Sequence, residues 1–213
     1  MPELHHPDSA APSRRPQRPI AAGTGIVLLL AAPVALAHTA GDGATALVHH
    51  GFIAGLLHPW SGVDHLAAML AVGLWSATTT RHWWLAPLVF AQMLLAGALL
   101  GLSGAESPAV EPMIAASLVV LGLLLAARTS LPALAGAGLV GLFAIFHGMA
   151  HGHELAGSQQ PWHPLAGMLL STIALHAIGI CAGLALRARH QAWARVAGVL
   201  VSVAGGALLL QLA

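Results

Sequence analysis

The sequence predicts an all-α membrane protein, a bundle of six transmembrane helices with one short re-entrant or interfacial helix, after a cleaved signal peptide. Of the 213 residues, 57% are hydrophobic and 7% are charged, and the mean hydropathy is +0.80, which is outside the range of soluble domains. The apolar residues also form several stretches close to the ~20 residues that a helix needs to cross the hydrocarbon core. We therefore expect one helical membrane domain, residues 38–213, without a separate soluble domain.

Composition also excludes several classes of function. The eight basic side chains are all arginines, whereas a Walker A loop needs a lysine on the nucleotide phosphates, so ATP hydrolysis by that route is excluded. The net charge of +1 provides no basic stripe for nucleic acid. Cys181 is the single cysteine, which excludes disulfides and multi-thiolate metal sites within one chain.

Residues 1–37 have the pattern of a secretory signal peptide. Three arginines precede an apolar stretch at residues 20–34, and Ala35-Leu36-Ala37 fits the small-x-small cleavage rule. Cleavage would leave His38 as the amino terminus, on the periplasmic side of a bacterial inner membrane. The alternative is an uncleaved first span.

Residues 44–57 form an apolar stretch of fourteen residues, too short to span comfortably. We expect a re-entrant or interfacial helix that breaks at His58-Pro59. Non-helical backbone at that depth is tolerated where it is buried in protein or lines a cavity, and broken helices often build ion sites in transporters.

Six later stretches are long enough, or nearly so, to span the membrane. The connections between them are short, which predicts antiparallel neighbours in a compact bundle. Gly and Ala are abundant within them and allow close helix–helix approach. The predicted spans are approximately residues 63–78, 83–102, 109–127, 131–149, 164–186 and 193–213.

The positions of the arginines predict which side of the membrane each connection faces, because cytoplasmic loops carry an excess of basic residues. Alternate connections hold Glu106 or the stretch 151–163 and are predicted to be periplasmic, as is the carboxyl terminus. The cytoplasmic connections are those with Arg81, with Arg128, and with the group Arg187, Arg189 and Arg195.

A first polar cluster lies at the start of the first span, with Asp64 and His65 in its first turn and His58 shortly before it. Ionisable groups cost about 2.5–3.5 kcal/mol each on membrane-insertion scales, so a membrane protein retains them for a function. Neutral imidazole and carboxylate are ligands for a divalent transition metal. The alternative is that Ser61 and Asp64 form a helix capping box.

A second cluster, His147, His151 and Glu154, has i, i+4 and i+7 spacing, which places all three on one face if the helix continues through Gly148 and Gly152. The alternative is a polar, hydrated helix end. Gly148 stands where the His-Glu-x-x-His motif has its glutamate, so a zinc metalloprotease has no support.

His176 lies thirteen residues into a predicted span of twenty-three, near the midplane of the membrane. Its depth predicts a second metal station below the two outer clusters. The alternative is a hydrogen bond to a neighbouring helix.

The polar residues belong to three longer motifs. They are His58-Pro-x-x-Gly62-x-Asp64-His65-x-x-x-Met69-x-x-Val72-Gly73, Phe146-His147-Gly148-x-Ala150-His151-Gly152-x-Glu154 and Leu175-His176-x-x-Gly179. These motifs resemble those of the HupE/UreJ family of membrane metal permeases, and the resemblance extends from His38 to the carboxyl terminus. It implies transport of nickel, sometimes cobalt, for hydrogenase or urease, with no permanently bound cofactor. Spacing alone indicates only a divalent metal.

We therefore expect a non-enzymatic permease that captures nickel from the periplasm through His38 and the two clusters and relays it past His176. Its partners would be the divalent ion and the lipid bilayer, and a homo-oligomer is left open. No energy-coupling motif is visible, which favours facilitated diffusion or movement driven by potential or protons. Two alternatives are a non-transporting metal-binding accessory for metalloenzyme maturation and a haem-binding electron-transfer subunit.

Overall fold

The structure, a computed structural model, describes residues 51–187 and 191–213, and these form seven α-helices without a β-strand. The predicted signal peptide, His38, Arg189 and the first half of the predicted short helix, residues 44–50, lie outside the described residues. The helices are α1 (Phe52–Ser61), α2 (Val63–Thr79), α3 (Leu85–Leu102), α4 (Val110–Ala127), α5 (Ala133–Leu155), α6 (Trp162–Arg187) and α7 (Gln191–Gln211).

Helices α3 to α7 are each long and apolar enough to cross a membrane, so the chain is a multi-pass membrane protein. The preceding helix α2 has 17 residues and carries Asp64 in its first turn; the count of six spans stays a prediction. Helix α5 continues beyond the predicted end at Met149 to Leu155. The condition for a shared face of His147 and His151 is therefore met.

The predicted break at His58-Pro59 is wrong. Helix α1 runs through both residues to Ser61, and the chain leaves helical geometry at Gly62, with φ −89° and ψ 114°. Proline in the last turns of a helix removes one backbone hydrogen bond, and here the ring of Pro59 is buried. Glycine has low helix propensity, so the helix ends there instead.

The most extensive contacts join helices that are not consecutive in the chain, contrary to the prediction from short connections. Helix α3 packs against α5, α4 against α7, and α6 against both α1 and α2. Gly97 lies against the backbone of Ile145, and Gly101 against that of Met149, so α3 and α5 run parallel. Glycines permit this backbone contact, and membrane helices associate through such small residues.

Three connections meet at one end of the bundle. The indole Nε1 of Trp75 in α2 donates to the Thr129 carbonyl, 2.9 Å away, and the Arg128 guanidinium donates to Gln191. A small cavity between His82 and Leu131 joins the α2–α3 and α4–α5 connections. The connections with Arg81 and Arg128 thus lie together, as the arginine pattern requires; their cytoplasmic location stays a prediction.

Candidate metal centre

The two histidine clusters meet at the opposite end of the bundle. Helix α1 contributes His58, α2 contributes His65, and α5 contributes His147 and His151. The His65 ring centroid is 4.4 Å from that of His151 and 5.0 Å from that of His147, and the His58 and His151 centroids are 5.0 Å apart. Residues far apart in the chain therefore form one continuous group of imidazoles.

His58, His151 and Glu154 form the outer part of this group, here called the outer triad. One ligand atom from each lies within 4.8 Å of the other two. Glu154 Oε2 is 3.4 Å from His58 Nε2 and 3.7 Å from His151 Nδ1. Ligands at about 2.1 Å from one ion in tetrahedral geometry are about 3.4 Å apart, close to the two distances from Glu154.

His65 and His147 form the deeper part, here called the inner pair. Their relative exposures are 8% and 0%, whereas the side chain of Glu154 in the outer triad is 45% exposed. Glu154 is therefore the solvent-facing member of the group, whereas His151 of the outer triad, at 1% exposed, is as buried as the inner pair. His65 contacts both parts of the group.

Asp64 lies beside the inner pair and contacts His65 rather than the outer triad. Its Oδ1 is 3.1 Å from His65 Nδ1. The alternative of a capping box does not hold, because the residue that caps α2 is Gly62 and the Ser61 hydroxyl donates to the His58 carbonyl at 2.7 Å. Asp64 is therefore placed to orient the His65 ring, as carboxylates orient metal-binding histidines.

Several buried imidazole nitrogens in the group have no hydrogen-bond partner within the described part of the chain. They are Nε2 of His65, Nδ1 of His147 and both ring nitrogens of His151. Buried polar atoms in native proteins nearly always have a partner, and neutral imidazole offers a lone pair to a metal. Nitrogen and carboxylate donors suit borderline divalent metals.

Helix α5 can present its histidines this way because glycines alternate with them. Gly148 and Gly152 lie against the backbone of α3 at Ala98, on a different side of α5 from the imidazoles that contact α2. The tight α3–α5 contact thereby fixes the position of His147 and His151 relative to α1 and α2. The motif's glycines serve packing and its histidines form the polar group.

His176 of α6 does not join the imidazole group. Its ring is buried and lies 4.9 Å from the ring of Phe90 in α3, which in turn is 5.8 Å from the ring of His147, centroid to centroid. The Nε2 atom of His176 has no hydrogen-bond partner among the described residues. This histidine therefore occupies a separate position behind an aromatic ring.

Sequence reasoning missed two residues of this region, Phe90 and Ser117. The Ser117 hydroxyl oxygen in α4 is 3.0 Å from His147 Nε2, and Phe90 separates His147 from His176. Both are ordinary components of an apolar helix, so no local signal distinguishes them. His82 is exposed at the other end of the bundle.

Comparison with known proteins agrees with these motifs. The family described as HupE / UreJ protein matches residues 26–208. Protein HupE of Rhizobium leguminosarum bv. viciae is 42% identical over 162 residues, which cover 75% of this chain and 85% of that protein. No solved structure matches the chain. On the extent of both sequence matches, the chain belongs to the HupE/UreJ family.

Proposed function

We propose that the protein is a permease for a divalent transition metal, with nickel as the principal cargo and cobalt as the second. The observation that carries the proposal is the convergence of four histidines, Asp64 and Glu154 from three helices at one end of an apolar bundle. Buried ionisable groups of this number are costly in a membrane protein, and metal binding compensates for that cost.

The outer triad would capture the ion. Glu154 is exposed enough to meet a hydrated cation, while His151 is 1% exposed and begins its dehydration. Imidazole and carboxylate without thiolate give moderate affinity for borderline metals. Conduction requires binding that is favourable enough to admit an ion and weak enough to release it.

The inner pair would receive the ion next and pass it toward His176. Phe90 lies between His147 and His176, so its ring has to move for the ion to advance. An inside-negative potential supplies about 2.3 kcal/mol per charge for each 100 mV, about 4.6 kcal/mol for a divalent ion. Inward movement by this route needs no nucleotide.

Nickel is proposed over other divalent metals because the resemblance to the HupE/UreJ family implies that the metal is supplied to hydrogenase or urease. Nitrogen and oxygen donors bind nickel well but also suit cobalt, copper and zinc. Periplasmic uptake follows from the arginine pattern, which assigns the arginine-bearing end to the cytoplasm.

Flux into proteoliposomes tests the proposal. Purified protein should carry nickel, and cobalt less well, when a potential is imposed, with zinc and manganese compared in parallel. Asp64→Asn and His65→Ala should abolish most of the flux at matched protein content. Asp64→Asn removes the negative charge beside His65, and His65→Ala removes an imidazole nitrogen that would bind the ion. His82→Ala, at the opposite end of the bundle, is the matched control and should transport normally.

Wild-type flux in both Asp64→Asn and His65→Ala would eliminate the imidazole group as the transport route. Stoichiometric metal binding by the wild type without any flux would instead support the accessory alternative. The haem alternative is disfavoured because the imidazole rings contact one another, with centroids 4.4–5.0 Å apart for three pairs, and a macrocycle does not fit between them. A Soret band in the purified protein would reverse that conclusion.

A further inference from the structure

Ser117 makes the contact on which this inference depends. It lies in α4, which contributes none of the proposed ligands, and it is fully buried. Its hydroxyl oxygen is 2.6 Å from the Ile114 carbonyl oxygen and 3.0 Å from His147 Nε2. Both distances are within the range of hydrogen bonds.

The direction of these two bonds follows from the number of protons available. A carbonyl only accepts, and a serine hydroxyl has one proton, so Ser117 donates to Ile114. The hydroxyl oxygen must then accept from His147, whose Nε2 is the donor. A neutral imidazole with its proton on Nε2 has its lone pair on Nδ1.

The contacts of His65, the second residue of the inner pair, lead to a matching assignment of protons. Asp64 as a carboxylate only accepts, so His65 donates from Nδ1 across the 3.1 Å contact. In the neutral ring, the form that binds a metal, the lone pair of His65 is then on Nε2. The two nitrogens that carry lone pairs, Nδ1 of His147 and Nε2 of His65, are the ones buried without a hydrogen-bond partner in the described chain. Two contacting rings that both lack a donor for their lone pairs are complementary to a cation.

We propose that Ser117 is a positioning residue that fixes the tautomer and orientation of His147, so that Nδ1 of His147 binds the transported ion together with Nε2 of His65. The inference rests on the proposed metal transport. Residues that hydrogen-bond to the second nitrogen of a ligating histidine fix its tautomer, and their removal typically weakens metal affinity about 10- to 100-fold.

Ser117→Ala and Ser117→Thr test the role of the hydroxyl. In Ser117→Ala we expect the dissociation constant for Co²⁺ or Ni²⁺, measured by calorimetry in detergent, to rise about 10- to 100-fold. Ser117→Thr keeps the hydroxyl and should restore most of the affinity. Ser76→Ala removes another fully buried serine hydroxyl, from α2, and should bind as the wild type does.

The tautomer provides a readout that a merely structural role would not change. In metal-free wild type with ¹⁵N-labelled histidine, the signal assigned by its loss in His147→Gln should show a protonated Nε2 and an unprotonated Nδ1. Ser117→Ala should show a mixture of tautomers. A protonated Nδ1 in the wild type, or wild-type metal affinity in Ser117→Ala, would overturn the proposal.

Failure of this inference is distinguishable from failure of the proposed function. If the wild type transports metal and His65→Ala does not, while Ser117→Ala binds normally, only the role of Ser117 is wrong. If the wild type neither binds nor transports any of the metals, the proposed function fails, and the positioning role fails with it.

Discussion

Gly148 provides a quantitative test of how packing positions the histidines of the proposed metal centre. It follows His147 in α5 and lies against the backbone of α3. A Cβ atom at this position would lie 2.8 Å from the amide nitrogen of Ala98 and 2.9 Å from the carbonyl carbon of Leu94. Carbon atoms pack best at about 3.5–4.0 Å, and backbone atoms cannot rotate away. Gly148→Ala should therefore push α3 and α5 apart by about 1 Å.

The expected change in stability has two parts. Replacing glycine by alanine in a helix favours the fold by about 0.8–1.0 kcal/mol, while overpacking a well-packed contact costs about 1–3 kcal/mol. Gly138 lies in the same helix, is exposed, and has no atom within 4 Å of its added Cβ. Gly138→Ala therefore has only the favourable part. The propensity term cancels in the difference, so Gly148→Ala should be less stable than Gly138→Ala by about 1–3 kcal/mol.

The assay is reversible unfolding in mixed micelles, with both variants compared with the wild type in the same detergent. Nickel affinity measured on the same samples should fall for Gly148→Ala alone. Displacement of a binding group by about 1 Å exceeds the ~0.5 Å tolerance of a preorganised site. Equal stability of the two variants would refute the close α3–α5 contact, and a destabilised Gly148→Ala with unchanged affinity would refute its role in positioning His147.

Two further predictions concern the path and its direction. His176→Ala should transport metal slowly yet retain its affinity at the imidazole group, since Phe90 separates this histidine from His147; equal losses of binding and flux would contradict a separate station. Single cysteines at Gln159 and Arg128, in a Cys181→Ala background, should react differently with a membrane-impermeant thiol reagent on cells with a permeable outer membrane. Labelling at Gln159 with protection at Arg128 is expected, and the reverse pattern would invert the proposed direction of uptake.

The local sequence pattern predicted the structure correctly where the residues concerned lie on one helix. The i, i+4 spacing of His147 and His151 predicted a shared face, and in the structure both rings contact His65. Helix α5 continues through Gly148 and Gly152 as the spacing required. The misplaced break at Pro59 shows the limit of such rules, because a proline near a helix end removes only one hydrogen bond and packing decides whether the helix continues.

Long-range partners were not predictable in the same way. Ser117 is thirty residues from His147 in the chain, and a buried serine in an apolar helix is common. The pairing of His58 with Glu154 joins helices that have few other contacts, since α1 packs mainly on α6. These contacts depend on which helices lie side by side. The short connections predicted that consecutive helices would be neighbours, and that prediction was incorrect for the most extensive contacts.

The sequence by itself determined that the chain is a helical membrane protein, which residues are costly to bury, and which of them share a helix face. These properties depend on composition and on the 3.6-residue period, and both are local. Only the tertiary structure decided that the two clusters form one imidazole group, that His176 lies apart behind Phe90, and that Asp64 and Ser117 lie within hydrogen-bond distance of the inner pair. The physical reason is that membrane helices pair through close backbone contact at small residues, and glycines on several helix faces permit many pairings that only the complete packing distinguishes.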